Sequence, residues 1–195
     1  MRTACILAIA MASLPAFPQG GTGKSVVPRH TINAGTVAST MNAGTGVFLD
    51  YQYWLDEEVS YVFRPGVTGI LLKPDSLVVF LQAGIDYRLN TLRRPLRDRF
   101  FNSQPYAGFY PASCEYLVIN TGDPGTDGSR LGWTPMGMLG YTLVFANLVS
   151  LDVHAGFGLS FRIYWTADEY PGTDSMIGTG LAPVAMAGIS IGIRL

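Results

Sequence analysis

Apolar residues recur at every second position along much of this chain. From Leu77 to Leu89, Leu77, Val79, Leu81, Ala83, Ile85, Tyr87 and Leu89 alternate with Val78, Phe80, Gln82, Gly84, Asp86 and Arg88. That is the period of a strand with two unlike faces, not the 3.6-residue period of a helix. The stretch from Leu151 to Ile163 repeats it, with Asp152, His154, Gly156, Gly158, Ser160 and Arg162 on the second face. Ala185 to Leu195 repeats it again, with Met186, Gly188, Ser190, Gly192 and Arg194 on the second face. Weaker alternation predicts four more strands at about Val47–Leu55, Val59–Leu71, Pro105–Ile119 and Pro135–Ala146. Turn chemistry separates them at Asp56-Glu57-Glu58, Lys73-Pro74-Asp75, Thr121 to Arg130, Ala146-Asn147 and a long segment from Thr166 to Gly180.

The clearest strands exceed the usual length of about 5 to 6 residues, and about 9 to 11 suffice to cross a bilayer at a tilt. The expected fold is therefore all-β: a single antiparallel up-and-down transmembrane barrel. Seven strands leave the ring short, because such barrels have an even number. Short connections near Asp56 and Ala146 fall at one end and long ones at the other, so an eighth strand is expected at about His30–Thr40. Met41-Asn42-Ala43-Gly44 would turn it into the next. The stretch Asn90 to Ser103, with Arg93, Arg94, Arg97 and Arg99, falls at the short-turn end, and part of it is expected to extend the neighbouring strands. Three uncharged stretches, Thr31–Leu49, Leu131–Leu151 and Ser175–Ile193, are interrupted by Gly and alternate, so they are not read as membrane helices.

Composition agrees. The 195 residues make about one domain, hydrophobic residues are 48% and charged residues 14%, against about 25% charged in an ordinary soluble domain. A formal net charge of -1 gives no field to gather nucleic acid. At the N-terminus, Arg2, the apolar run Ala4–Leu14 and then Pro15-Ala16-Phe17-Pro18 have the order of a secretory signal. Residues 1–19 are read as signal peptide, 20–29 as a flexible segment and 30–195 as the barrel domain. Loss of Cys5 with the signal leaves Cys114 alone, so no intrachain disulfide is expected. Gly20-Gly21-Thr22-Gly23-Lys24-Ser25 looks like the end of a phosphate-binding loop, but Pro18 stands where the pattern needs Gly.

Several stretches resemble the small eight-stranded outer-membrane β-barrels of the OmpA/OmpX type, including uncharacterised bacterial families of that group. The resemblance covers about Thr31 to Leu195. It is carried by Thr31-Ile32-Asn33, Phe48-Leu49-Asp50-Tyr51-Gln52-Tyr53, Gln82-Ala83-Gly84-Ile85-Asp86-Tyr87-Arg88, Tyr106-Ala107-Gly108-Phe109-Tyr110 and Ala155-Gly156-Phe157-Gly158-Leu159. It implies a Gram-negative outer-membrane location and a lumen plugged by side chains, with no catalytic residues carried over. Such barrels usually end in an aromatic residue used in assembly; here the last strand reads Ile193-Arg194-Leu195.

Candidate chemistry lies on the second, inward face. Arg64, Asp86, Arg88, Asp152, His154, Arg162 and Arg194 are expected to form a lumen polar network, because a narrow lumen holds little water and buried charges must pair. Asp86, Arg88, Asp152 and Arg162 are expected to gather around His154. Asp152, His154 and Ser160 are residue types of a hydrolase triad. Ser160 is roughly 20 Å along the strand from His154, so a nucleophile would have to come from elsewhere, such as Ser190 or Ser60. No metal-ligand spacing recurs. Tyr51, Tyr53, Tyr61, Tyr87, Tyr141 and Trp133 suit an interfacial girdle. The expected role is a structural or surface-interaction barrel, without cofactor and without an open pore. Its expected partners are outer-membrane lipids and the assembly machinery, no nucleic acid is among them, and the expected state is a monomer. The alternatives are a lipid A-modifying membrane enzyme and a soluble lipocalin-like ligand-binding barrel with its faces inverted.

Overall fold

Strands form where the period-two pattern predicts them. A computed structural model describes residues 30–40, 44–56, 58–69, 76–89, 101–119, 128–146, 148–167 and 174–195. Residues 1–19, read above as a signal peptide, the segment 20–29, the turn residues 41–43, the arginine-bearing residues 90–100 and the tips of the two long loops lie outside the described residues. The strands are β1 (His30–Ser39), β2 (Gly44–Trp54), β3 (Val59–Thr68), β4 (Ser76–Arg88), β5 (Phe101–Ile119), β6 (Gly128–Trp133), β7 (Met136–Phe145), β8 (Val149–Ala167) and β9 (Asp174–Arg194).

β6 and β7 are two halves of one stave. Both lie between β5 and β8, separated only by Thr134 and Pro135. Proline has no N–H to give to a ladder, and the Thr134 N–H to Ser113 carbonyl bond of 2.7 Å bridges the break. Each stave pairs antiparallel with the next, and β1 pairs with β9. The sheet closes into an eight-stave ring, which removes the unpaired edge that a lipid environment does not tolerate.

The register fixes the shape. From Val37 the paired positions run through Gly46, Thr68 and Val78 to Leu117, or the other way through Gly188, His154 and Gly140 to Tyr106. The two routes arrive eleven positions apart on β5, one of them a bulge residue. That stagger, in a ring of eight staves, tilts the strands by roughly 40° to the barrel axis. At the bulge, Ala83 pairs with Ala112 whereas Ile85 pairs with Phe109. Pro111 and Ala112 are both exposed, and the inward set of β5 switches from Gln104, Tyr106 and Tyr110 to Ser113, Glu115 and Leu117. This switch is why the alternation from Pro105 to Ile119 looks weak in the sequence.

The faces are inverted relative to a soluble barrel. Leu139, Phe157 and Ile191 are 65%, 61% and 61% exposed, while Arg64, Gln82, Ser160, Asp50 and Asp152 are buried. Three segments exceed the expected strands. β6 occupies the end of the expected Thr121–Arg130 loop, and β8 and β9 run into the expected Thr166–Gly180 loop. These residues form the tall side of the barrel, where strand pairing runs beyond the stretches in which apolar residues alternate in the sequence.

Small inward residues make room for large ones. A Cβ at Gly188 would collide with the His154 ring and approach the Thr36 carbonyl, whereas one at Gly137 meets nothing within 4 Å. Gly188→Ala is expected to destabilise by about 1 to 3 kcal/mol, the usual cost of overpacking, with Gly137→Ala nearly neutral. Urea unfolding of both variants in lipid vesicles checks this; equal midpoints would show that the interior at His154 is slack.

Candidate functional site: the lumen

Inward-facing side chains occupy the lumen in successive levels. Nearest the short turns, the Trp54 indole N–H donates to Thr31 Oγ1 at 3.0 Å. The Arg88 guanidinium lies 3.5 Å from the Trp54 ring centroid and that of Arg194 lies 5.7 Å away. Cation–π contact of this kind strengthens when water is excluded.

Above this lies an ionic level built by β1, β2, β3, β4, β5, β7 and β8. Arg64 Nη2 donates to Asp50 Oδ2 at 3.1 Å, with both side chains fully buried. Asn33 and Gln52 also donate to that oxygen, at 3.5 and 3.3 Å. Arg64 Nη1 reaches His154 Nε2 at 3.4 Å and Met138 Sδ at 3.2 Å. A guanidinium only donates, so Nε2 accepts and the ring proton sits on Nδ1. Nδ1 then donates to Asp152 Oδ1 at 2.8 Å. Asp152 also accepts from the Tyr106 hydroxyl at 3.1 Å and from Thr142 at 2.8 Å. Asp86 accepts from the Tyr110 hydroxyl at 2.8 Å.

The next level is apolar, formed by Val37, Phe48, Val62, Phe80, Tyr110, Met136, Met138, Val184 and Met186. Gln82 crosses it, its amide donating to the sulfurs of Met136 and Met186 at 3.2 Å each and to Ser113 Oγ at 3.4 Å. A second ionic level caps it. Arg130 and Arg162 both approach Glu115 Oε1, at 3.3 and 3.4 Å. Ser160 donates to the same oxygen at 3.3 Å and accepts from Arg162 Nε at 3.0 Å.

Of the residues expected in one network, the structure brings together Arg64, Asp152 and His154. Asp86 sits beside them on Tyr110, Arg88 and Arg194 flank Trp54, and Arg162 belongs to Glu115 at the far level. A single cluster of Asp86, Arg88, Asp152 and Arg162 around His154 is not what forms, because the strand offset separates residues that share a face by several levels. Sequence reasoning missed Asp50, Glu115, Tyr106 and Tyr110. Asp50 shares a parity with Gln52 in an alternating stretch, which was the available signal; Glu115 had none, since the bulge reverses its face.

The triad types do not assemble. Ser160 is held by Glu115 and Arg162, while Ser190 and Ser60 stand opposite Asp152 and Asp86 in the ladders. His154 has both nitrogens engaged by Asp152 and Arg64. Among the described residues no group of three or more His, Cys, Asp or Glu is placed to hold a metal ion.

Outside, Tyr51, Tyr87 and Tyr141 are exposed toward the short-turn end, where Tyr53 pairs with Tyr61, and Trp133 is exposed toward the other end. Trp133 and Tyr141 are eight residues apart on the β6–β7 stave. At the strand rise and tilt this is about 20 Å along the barrel axis, close to the roughly 25 Å apolar band between aromatic girdles of membrane barrels.

The chain matches no protein-family model and no curated protein. Its fold is similar to that of Neisserial surface protein A, with a TM-score of 0.53 and 12% identity, covering 85% of this chain and 96% of that one. It is also similar to the outer membrane protein OprG from Pseudomonas aeruginosa, with a TM-score of 0.51 and 11% identity, covering 85% and 95%. The chain has the fold of the small outer-membrane β-barrels.

Proposed function

We propose that this chain is a bacterial outer-membrane barrel with a structural or surface-interaction role, its lumen closed by its own side chains. The observation that carries the reading is the stack of buried levels along the lumen: Trp54 with Arg88, Arg64 with Asp50 and His154, the Met136, Met138 and Met186 belt, and Glu115 with its two arginines. The apolar belt between two ionic levels is a barrier to hydrated ions, since an ion entering it would shed its water and meet no charge, only the Gln82 amide and the methionine sulfurs.

In this reading the barrel works as a monomer among outer-membrane lipids, after insertion by the assembly machinery. The long hairpins β5–β6 and β8–β9 project to the cell exterior, as long loops do in such barrels, and are where a surface partner would dock. A lipid A-modifying enzyme would need a hydroxyl beside a free histidine nitrogen, which the engagement of His154 opposes.

Planar-bilayer recording of the purified protein tests the closed lumen. The expected result is no steady conductance above the bare bilayer. A steady, large conductance from protein that shows the heat-modifiable migration of a folded barrel would overturn it.

A further inference from the structure

Two sulfurs of the methionine belt meet at one polar atom. Gln82 Nε2 donates to Met136 Sδ and to Met186 Sδ at 3.2 Å each, and to Ser113 Oγ at 3.4 Å. These side chains come from β4, β7, β9 and β5, so the point they share lies inside the ring. Gln82 and Met136 are wholly buried, and Met186 nearly so. The other end of the Gln82 amide, Oε1, is buried without a hydrogen-bond partner. Both methionine stems lie over glycines of β8. A Cβ at Gly158 would stand 3.1 Å from Met136 Cγ, and one at Gly156 would stand 3.4 Å from Met186 Cγ.

We propose that Met136, Met186 and Gln82 form a binding site for one soft monovalent cation, Cu(I) or Ag(I), inside the lumen. Thioether sulfur is a neutral, polarisable donor that selects soft ions, whereas hard ions require carboxylate, carbonyl or water oxygens. An ion in the place of Nε2 would stand 3.2 Å from both sulfurs. For metal–sulfur bonds of about 2.3 Å, as zinc makes, each sulfur closes by less than about 1 Å, within the reach of methionine's rotatable bonds. Turning the amide over presents Oε1 as a further donor and gives that atom the partner it lacks. Met138 stands outside the site, because its sulfur accepts from Arg64 Nη1 at 3.2 Å and a cation there would face the guanidinium. Arg130 and Arg162 share Glu115 at the next level, and this excess of positive charge opposes a divalent ion more than a monovalent one. The belt that turns hydrated ions away thus has the donors that a soft ion takes in exchange for its water.

Native mass spectrometry of the folded full-length chain tests this, with Cys5→Ser and Cys114→Ser removing both thiols. Ag+ is added during refolding in chloride-free buffer, and excess free methionine then strips ions held by a single thioether. The doubly substituted protein is expected to retain one Ag+ and no Zn2+. Met136→Leu and Met186→Leu keep the volume of the belt. Each is expected to lower the Ag+ affinity at least about tenfold, since even the partners behind a metal ligand are worth about 10- to 100-fold. Met138→Leu is expected to bind Ag+ as its parent does, which separates the two convergent sulfurs from methionine content as such. Folded protein that retains no Ag+, undiminished binding by Met136→Leu and Met186→Leu, or equal loss from Met138→Leu overturns the site. Retention of Zn2+ in the same amount overturns the soft-donor assignment. Planar-bilayer conductance tests the closed lumen separately, so the two readings fail by different measurements.

Discussion

Arg64→Met is expected to destabilise the barrel by about 3 to 5 kcal/mol, the cost of leaving one half of a buried ion pair alone. Arg64 is wholly buried, and its loss strands Asp50 in the lumen and frees His154 Nε2. Met fills much of the same volume, so the effect measures charge and not cavity. Adding Asp50→Asn should recover part of the loss, since the stranded charge is then gone and Asn33 and Gln52 can still bond the amide oxygen. Arg162→Met should cost clearly less, because Arg130 remains on Glu115 Oε1. Equilibrium urea unfolding of the wild type and the three variants in lipid vesicles gives all three differences. If Arg64→Met were as mild as Arg162→Met, the lumen would be hydrated and the closed-barrel reading would fail.

The second large effect lies on the opposite face. Phe157 is 61% exposed and pairs with Gly137, which is midway between Trp133 and Tyr141 on the adjoining stave. Phe157→Arg therefore places a cation near the bilayer midplane, where the cost is about 2 to 4 kcal/mol. Tyr141→Arg, at the level of the tyrosine girdle, should cost no more than about 1 kcal/mol, since the side chain can reach the interface. In detergent micelles, which adapt to the protein, the difference should shrink. Unfolding in vesicles that ranked Tyr141→Arg as the more damaging change would shift the membrane plane away from the girdles.

Strand facing was legible residue by residue. Leu77 to Leu89, Leu151 to Ile163 and Ala185 to Leu195 carry the alternation without interruption, and the inward placement of Arg64, Asp86, Arg88, Asp152, His154, Arg162 and Arg194 follows from parity alone. The eighth stave at His30–Ser39 followed from closure: the ring needs an even number, and short turns at one end dictate which way the chain must start. Such inferences work because a period of two is local and because an open sheet edge is not tolerated in lipid.

Pairing within the lumen was decided only by the tertiary structure. Which carboxylate meets Arg64 depends on how far each strand slides past its neighbour, and that offset accumulates around the ring until Val37 maps to Leu117 one way and Tyr106 the other. A single extra residue near Pro111 then turns Glu115 inward, against the parity of Tyr106 and Tyr110. The hydrophobic pattern says which face a residue takes, because burial is set strand by strand. It does not say at what height the residue stands, because height is a property of the closed ring, and the ion pairs and the methionine belt are both set by height.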